Sequence, residues 1–384
     1  MRKVYLDHAA TTAMDGRILQ VMLPYMTEIQ GNASSAHFYG REAQKALDSA
    51  RDSVASCFGV RPSEIYFTAS GSESGNWAVK GGARAVRERT GRRRVLVSAI
   101  EHPAVLNSAK ALVREGYEIG VLPVDGNGIV RLDAAECMVG TDTALICVMA
   151  ANNEVGTIQP VREIAEIAHA RGAYLFADAV QAAGAIPIGP DMLGADMLSV
   201  SAHKFYGPKG VGALYVRRDM PIQPFLDGGE QERGLRGGTS NVAGAVGLAA
   251  ALSFAVTDLE GNAGHVRALR DLFLQGTLEI IRGAELNGDR EKRLPGNANI
   301  SFAGVDGTVL LHRLDRNGIA ASAGSACSSG AIGPSHVLTA MGQSAAQAKS
   351  AVRFTFGKDN TEEETEYVCR ILAEQVCAIR ENSK

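Results

Sequence analysis

From residue 64 onward, short β-rich apolar runs alternate with longer stretches in which apolar positions recur at helical spacing. The short runs cover residues 64–68, 95–98, 120–124, 145–150, 174–178, 197–201 and 212–216. Between them, residues 73–89, 103–115 and 160–171 carry the helical pattern, and the last two open with Pro103 and Pro160 near the first turn, where a missing N–H costs nothing. Strand and helix in alternation predict a mainly parallel sheet with helices on both faces.

Further along, residues 242–256 are apolar throughout and studded with Ala and Gly. That run is shorter than the ~20 residues of a membrane span and reads as a buried helix. A long amphipathic helix at 264–281, then patterned segments at 297–302 and 307–317 and an amphipathic helix at 362–380 follow, which predicts a second, smaller α+β unit. The candidate boundary lies at 257–262, where Asp258, Glu260, Gly261 and Asn262 break the apolar pattern. No internal repeat is visible.

The chain of 384 residues is long enough for two packed units. Its 39 Lys plus Arg against 42 Asp plus Glu give a net charge of -3, which removes the electrostatic reason to expect nucleic acid or an anionic membrane as partner. Small metabolites and proteins remain, and many glycines without low-complexity tracts fit a globular α/β enzyme. The six cysteines are scattered without a CxxC pair, so neither a disulfide framework nor a structural zinc site is expected. Of these, Cys57, Cys147, Cys369 and Cys377 sit in apolar or helical patterns that fit core packing, while Cys137 has no evident role. The N-terminus reaches Asp7 and His8 before any apolar h-region forms, so no signal peptide and a cytoplasmic location are expected. Arg84, Arg87, Arg89, Arg92, Arg93 and Arg94, with Glu88 among them, read as a solvated surface.

The chemistry concentrates at strand ends. Residues 199–210 run from a strand into a Gly/Pro turn with Lys204 at its rim. A lone lysine there is ordinarily a surface residue, and Lys209 competes for any role. The strand 174–178, however, ends in Asp178, at the carboxyl end where parallel sheets bind ligands. Asp178 reads either as a helix cap or as the partner of a pyridinium nitrogen. Pyridoxal phosphate needs both groups: an amine for a Schiff base, and a carboxylate that keeps the ring nitrogen protonated and the ring an electron sink. A phosphate cradle is available at residues 67–76, a strand, a small-residue turn and a helix start with free N–H groups. Taken singly, Ser72 in that turn reads as an N-cap, and the turn lacks the Gly-Lys-Ser/Thr of a Walker motif.

These residues, with ten segments in order along almost the whole chain, identify a resemblance. The segments are Tyr5 to Thr12, Gly31 to His37, Ser70 to Asn76, Glu101 to Leu106 and Asn152 to Gly156. Asp178 to Gln181, Ser201 to Lys204, Gln231 to Thr239, Gly324 to Cys327 and Val352 to Phe354 complete the set. The sequence resembles the cysteine desulfurases, pyridoxal 5'-phosphate enzymes of the class V aminotransferase group with the type I fold. The resemblance implies a mainly parallel seven-stranded sheet in a large cofactor-binding domain over residues 14–258. Residues 1–13 and 259–384 would form a small domain bearing the cysteine loop, with the active site between the two.

By the same resemblance, Lys204 is the Schiff-base lysine in preference to Lys209, Asp178 faces the pyridine nitrogen, and His102 stacks on the ring and handles protons. Asn153 and Gln181 lie near the phenolate oxygen, and Gly71, Ser72, Ser201 and His203 hold the phosphate. Thr239 reaches the phosphate of the other subunit of a homodimer. Arg353, with Asn153, takes the substrate carboxylate, since a guanidinium offers parallel donors to two oxygens. His8, His37 and His336 receive structural or supporting roles, whereas His169, His265 and His312 carry no functional signal. Departures from the common pattern, Ala33, Gly71-Ser72, Gly75 and Pro103, remove no side chain the chemistry needs.

Cys327 lies in Ala323-Gly324-Ser325-Ala326-Cys327-Ser328-Ser329-Gly330, a small, polar segment with the composition of a mobile loop. It is the expected nucleophile. The implied reaction converts L-cysteine to L-alanine and leaves a persulfide on Cys327, which passes to an acceptor protein. The segment after Cys327 resembles the nitrogenase-associated and housekeeping branch that serves iron-sulfur cluster assembly. Little sequence follows residue 380 to resemble the tail that docks a cluster scaffold, so nitrogenase maturation and tRNA or DNA thiolation stay open as destinations. Three alternatives stand beside this reading: a class V aminotransferase without a cysteine nucleophile, a selenocysteine lyase, and a catalytically idle platform for sulfur-carrying partners.

Overall fold

The computed structural model describes residues 2–323 and 334–382; Cys327 lies outside the described residues. In chain order the first elements are β1 (Val4–Tyr5), α1 (Gly16–Thr27), α2 (Phe38–Phe58), β2 (Ile65–Thr68), α3 (Gly71–Thr90), β3 (Arg94–Ser98), α4 (Pro103–Leu112) and β4 (Glu118–Leu122). Next come α5 (Leu132–Met138), β5 (Thr143–Met149), α6 (Val161–Ala170), β6 (Tyr174–Asp178), α7 (Pro190–Leu193), β7 (Met197–Ser201) and β8 (Gly212–Val216). The remainder is α8 (Val242–Thr257), α9 (Leu259–Leu278), β9 (Ala284–Leu286), β10 (Asn297–Phe302), α10 (Gly307–Arg316), β11 (Ile319–Ala320), α11 (His336–Ala340), α12 (Ala345–Lys349), β12 (Ala351–Thr355) and α13 (Glu362–Glu381).

The seven expected strands form one sheet in the order β2-β8-β7-β6-β5-β3-β4. Only β8 runs against its neighbours β2 and β7; the other pairings are parallel. Alternate side chains face opposite ways, as strand geometry requires. Val95, Val97, Leu145, Cys147 and Phe176 pack with Trp77 and Val86 of α3 and Val105 and Leu112 of α4. On the other face Leu96, Ile146, Val148, Leu175 and Ala177 meet Ile164 and Ala168 of α6, while Leu198, Val200, Ala213 and Tyr215 meet α2 and α8. Apolar residues on both sides of each central strand explain why those runs read as continuous rather than alternating.

A separate core joins the N-terminal strand to the last third of the chain: Val4 and Leu6 pack with Phe273, Ile300, Phe302, Leu310, Val352, Phe354 and Leu372. Here β12, β10 and β9 form an antiparallel sheet, and β1 pairs in parallel with β11.

Several boundaries differ from expectation. The strand expected at 120–124 ends at Leu122, because Pro123 has no N–H for the ladder; Val124 instead bridges to Val130 across a turn. The breakers at 257–262 lie at a junction of two helices. Asp258 ends α8 and begins α9, the two helices bend by 72°, and Glu260, Gly261 and Asn262 sit in the first turn of α9, where polar residues are tolerated. Helices α1 and α2 were not anticipated, although Asp15 and His37 cap them and Ala43, Leu47, Ala50 and Val54 trace a buried stripe. Cys377 faces solvent on α13 instead of the core, because Val376 and Ile379 occupy the buried side of that turn. The 242–256 helix is buried along one side as expected, and no single helix among the described residues is long and apolar enough to cross a membrane. The arginine cluster is tied to its own surface: Arg84 pairs with Glu115 and Arg93 with Glu118.

Candidate active site

Strands β2, β3, β5, β6 and β7 point the same way, so their carboxyl ends share one edge of the sheet. Residues from five distant parts of the sequence meet there: Gly71 and Ser72 after β2, His102 after β3, Asn153 after β5, Asp178 and Gln181 at the end of β6, and Ser201, His203 and Lys204 at the end of β7. This edge is where an open parallel sheet leaves backbone groups free for a ligand.

Asp178 is 7% exposed, and its Oδ1 accepts from the Val180 N–H at 3.0 Å and the Ser199 hydroxyl at 3.2 Å. Burial pushes its carboxyl above the usual range, against the opposing pull of those donors, His102 and Lys204. Lys204 Nζ donates to the carbonyls of Ala9 at 2.5 Å and Ala10 at 2.8 Å. The turn holding it is over-determined: Tyr206 adopts φ +63° while its N–H donates to Thr12 Oγ1 and its hydroxyl accepts from the Lys358 N–H. Lys209 is exposed.

At the start of α3 the N-cap is Ser70, whose Oγ accepts from the Glu73 N–H at 3.1 Å; Ser72 lies inside the first turn and is not the cap. Gly71 and Ser72 therefore keep first-turn N–H groups without helical acceptors. A Cβ on Gly71 would lie 2.6 Å from Val180 Cγ2 and 3.3 Å from Ser201 Cβ, so glycine lets the α3 turn close onto the ends of β6 and β7. His203 Nδ1 is 3.0 Å from Thr11 Oγ1, and burial, assisted by Lys204 and Lys209, lowers its imidazole to about 4.

His102 caps α4, its Nδ1 accepting from the Ala104 N–H at 3.1 Å. That bond puts the proton of the neutral ring on Nε2, and burial holds the ring's basicity down. Beside it, Glu101 is wholly buried: Oε1 accepts from Ser98 Oγ at 2.6 Å and the Met149 N–H at 2.7 Å, while Oε2 has no partner among the described residues. Burial pushes this carboxyl up to about 8. His336 Nε2 lies 3.0 Å from the Glu101 carbonyl.

Arg353 on β12 reaches the same edge from the second core. Its Nη1 donates to the Asn153 carbonyl at 2.8 Å, its Nη2 meets Asp7 Oδ1 at 2.8 Å, and its Nε is buried with no partner among the described residues. Gln181 Nε2 donates to the Ala9 carbonyl at 2.9 Å. Thr239 is exposed, in the connection before α8. Sequence reasoning missed Asp7, the Ala9 and Ala10 carbonyls, and Glu101. Glu101 had a signal, a charge placed three residues after the end of an apolar strand; backbone acceptors have none.

Of the remaining histidines, His8 packs edge-on against Tyr5 and His37 Nδ1 accepts from the Gly40 N–H at 3.3 Å. His169 sits 3.0 Å from Asp196 and His265 3.0 Å from the Asn360 carbonyl.

The donor set fits pyridoxal 5'-phosphate: a buried carboxylate, an amine beside it and a glycine turn closed on Ser201. Fold and site together define a type I pyridoxal-phosphate transferase. Residues 4–368 match the aminotransferase class-V family. The chain is 44% identical over 371 residues to the cysteine desulfurase IscS of Dictyoglomus turgidum, covering 97% of this chain and 94% of that one. Among solved structures, a NifS-like protein superposes with a TM-score of 0.91 at 40% identity, covering 98% of this chain and 100% of the other. A second, SspA in complex with cysteine, gives 0.81 at 32% identity, covering 93% and 99%. The chain belongs to the cysteine desulfurases of the class-V aminotransferase family, enzymes dependent on pyridoxal 5'-phosphate.

Proposed function

We propose that the chain removes sulfur from L-cysteine through Lys204, His102 and Cys327, and that the aminotransferase and selenocysteine lyase readings are secondary. The observation that carries this is the meeting of Lys204 and Asp178 at the ends of adjacent strands β6 and β7, beside the cradle at Gly71. The relative solved with cysteine supports the substrate.

Lys204 would hold the cofactor through its amine, Asp178 its ring nitrogen, and Gly71, Ser72, Ser201 and His203 its phosphate, with Gln181 and Asn153 near its phenolate. When bound, pyridoxal phosphate supplies an electron sink that labilises the bonds around the substrate Cα. His102, neutral and with its proton on Nε2, is suited to move a proton. Arg353, with Asn153, would orient the substrate carboxylate. The Cys327 thiolate forms a bond to the substrate sulfur as the carbon–sulfur bond breaks with its electron pair left on carbon. Protonation of that carbon gives L-alanine, so L-cysteine and a Cys327 thiol become L-alanine and a Cys327 persulfide, with no other oxidant or reductant. The persulfide sulfur then passes to an acceptor protein, for which an iron-sulfur cluster scaffold is the proposed class.

A homodimer is part of the same proposal. Leu19, Leu23 and Met26 share one side of α1 and are 41%, 44% and 63% exposed, and such an apolar side favours a partner subunit. Thr239, exposed and outside the chain's own cradle, would reach the phosphate across that interface. The large domain at 14–258, the small domain at 1–13 and 259–384, and a cytoplasmic setting that keeps the thiol reduced complete the reading.

The test is sulfide and alanine release from L-cysteine with added thiol, with the visible spectrum recorded first, on the wild type and Cys327→Ala. Equimolar products from the wild type, and none from a Cys327→Ala protein that keeps its cofactor band, is the expected result. A colourless protein, or sulfide release undiminished in Cys327→Ala, would overturn the reading.

A further inference from the structure

Arg353 is 1% exposed, and a guanidinium so buried is costly unless its charge is matched and its donors are occupied. Two of its nitrogens are anchored on opposite sides, Nη1 by the Asn153 carbonyl and Nη2 by Asp7 Oδ1, each at 2.8 Å. Nε, also buried, has no acceptor among the described residues.

Asp7 is the anchor with charge, and its own position is fixed. Strand β1 leads into it by pairing Val4 with Ile319 and Tyr5 with Ala320, Asp7 bridges to Thr355 on β12, and Tyr5 Oη donates to the Asp7 carbonyl at 3.1 Å. The Arg353 backbone pairs with Ser322 through bonds of 2.7 and 3.1 Å. The guanidinium is therefore held through Nη1 and Nη2, and Nε is the donor left unfilled among the described residues.

We infer that Asp7 is a positioning residue for the substrate carboxylate: it sets the plane of the Arg353 guanidinium so that the unfilled donor meets the carboxylate of an α-amino acid. This rests on the proposed role of Arg353. Asp7 touches neither substrate nor cofactor. Its removal leaves one anchor, lets the guanidinium turn in its slot and weakens recognition of the carboxylate while sparing the amine-binding chemistry at Lys204.

The test titrates the cofactor-loaded enzyme with L-alanine and with ethylamine, the latter lacking the carboxylate, and follows the visible cofactor spectrum. In Asp7→Ala, L-alanine affinity falls about tenfold, the size of one charge-assisted hydrogen bond, while ethylamine affinity and the unliganded spectrum stay as in the wild type. Asp7→Asn, whose amide oxygen can still accept from Nη2, regains part of the loss, and it carries the comparison if the alanine variant does not fold. Asp7→Ala combined with Arg353→Ala loses no more than Arg353→Ala. If Arg353→Ala abolishes the preference for L-alanine and both Asp7 variants keep it, the role of Asp7 is wrong and that of Arg353 stands. If Arg353→Ala keeps the preference, the role of Arg353 itself fails. Equal weakening of both ligands in the Asp7 variants makes Asp7 a structural residue only and overturns the inference.

Discussion

The side-chain amine of Lys204 lies 2.5 Å from the main-chain carbonyl of Ala9, a contact spanning 195 residues. The N-terminal segment is thereby part of the site. Gln181 bonds the same carbonyl, Thr11 meets His203, and Asp7 meets Arg353.

Replacing Lys204 with Ala removes the amine held beside Asp178 at that edge. The variant is expected to lose sulfide release by at least about three orders of magnitude and to lack the wild-type visible cofactor band, whereas Lys209→Ala keeps both. Absorbance and product assays on the two proteins check this.

At Gly71 the added methyl of Gly71→Ala meets Val180 Cγ2 at 2.6 Å and crowds Ser201. Forcing the cradle open is expected to cost about 1–3 kcal/mol, appearing as a loss of about fivefold to a hundredfold in pyridoxal phosphate affinity on reconstitution of the apoprotein. Unchanged affinity would mean that Val180 moves aside freely.

Glu101 makes the fold pH-sensitive. Its carboxyl is raised from an ordinary 4.5 to about 8 by burial, so between those values the folded state binds a proton that the unfolded chain releases. Its contribution is fully present below the ordinary value. It is lost as pH rises towards about 8, at up to about 1.4 kcal/mol per pH unit. Glu101→Gln, uncharged throughout, should flatten that slope in denaturant unfolding measured across the window.

Glu232 holds a strained turn. It and Arg233 have φ of +47° and +60°, and its carboxylate accepts two bonds of 2.8 Å from Arg51 and one of 3.1 Å from the Phe67 N–H. Glu232→Ala leaves Arg51 buried without its counter-charge, a loss of about 3–5 kcal/mol, read as a lower unfolding midpoint in urea.

The apolar side of α1 tests the dimer. Leu23→Asp puts a charge on the patch with Leu19 and Met26, and sedimentation should report a monomer at concentrations where the wild type is dimeric. A monomeric wild type would remove the basis for Thr239 acting across an interface.

Much of this molecule is legible in its order of residues. The seven strands of the main sheet appear as apolar runs because strands covered on both faces need apolar side chains on both, and Asp178 and Lys204 stand out because a charge at the end of such a run has no packing explanation. The signals were local, and so were the errors. Pro123 ended a strand two residues early, and Ser70 rather than Ser72 capped α3. What the sequence could not contain is which distant groups meet. Arg353 reads as a bare substrate ligand until folding sets Asp7 and the Asn153 carbonyl against it. Glu101 becomes a buried acid only when the Met149 N–H arrives from the next strand. Hydrophobic patterning is written residue by residue because burial depends on side-chain type and period. Charge compensation, orphaned donors and shifted proton affinities depend on distances between chain segments, and those exist only once the sheet has closed.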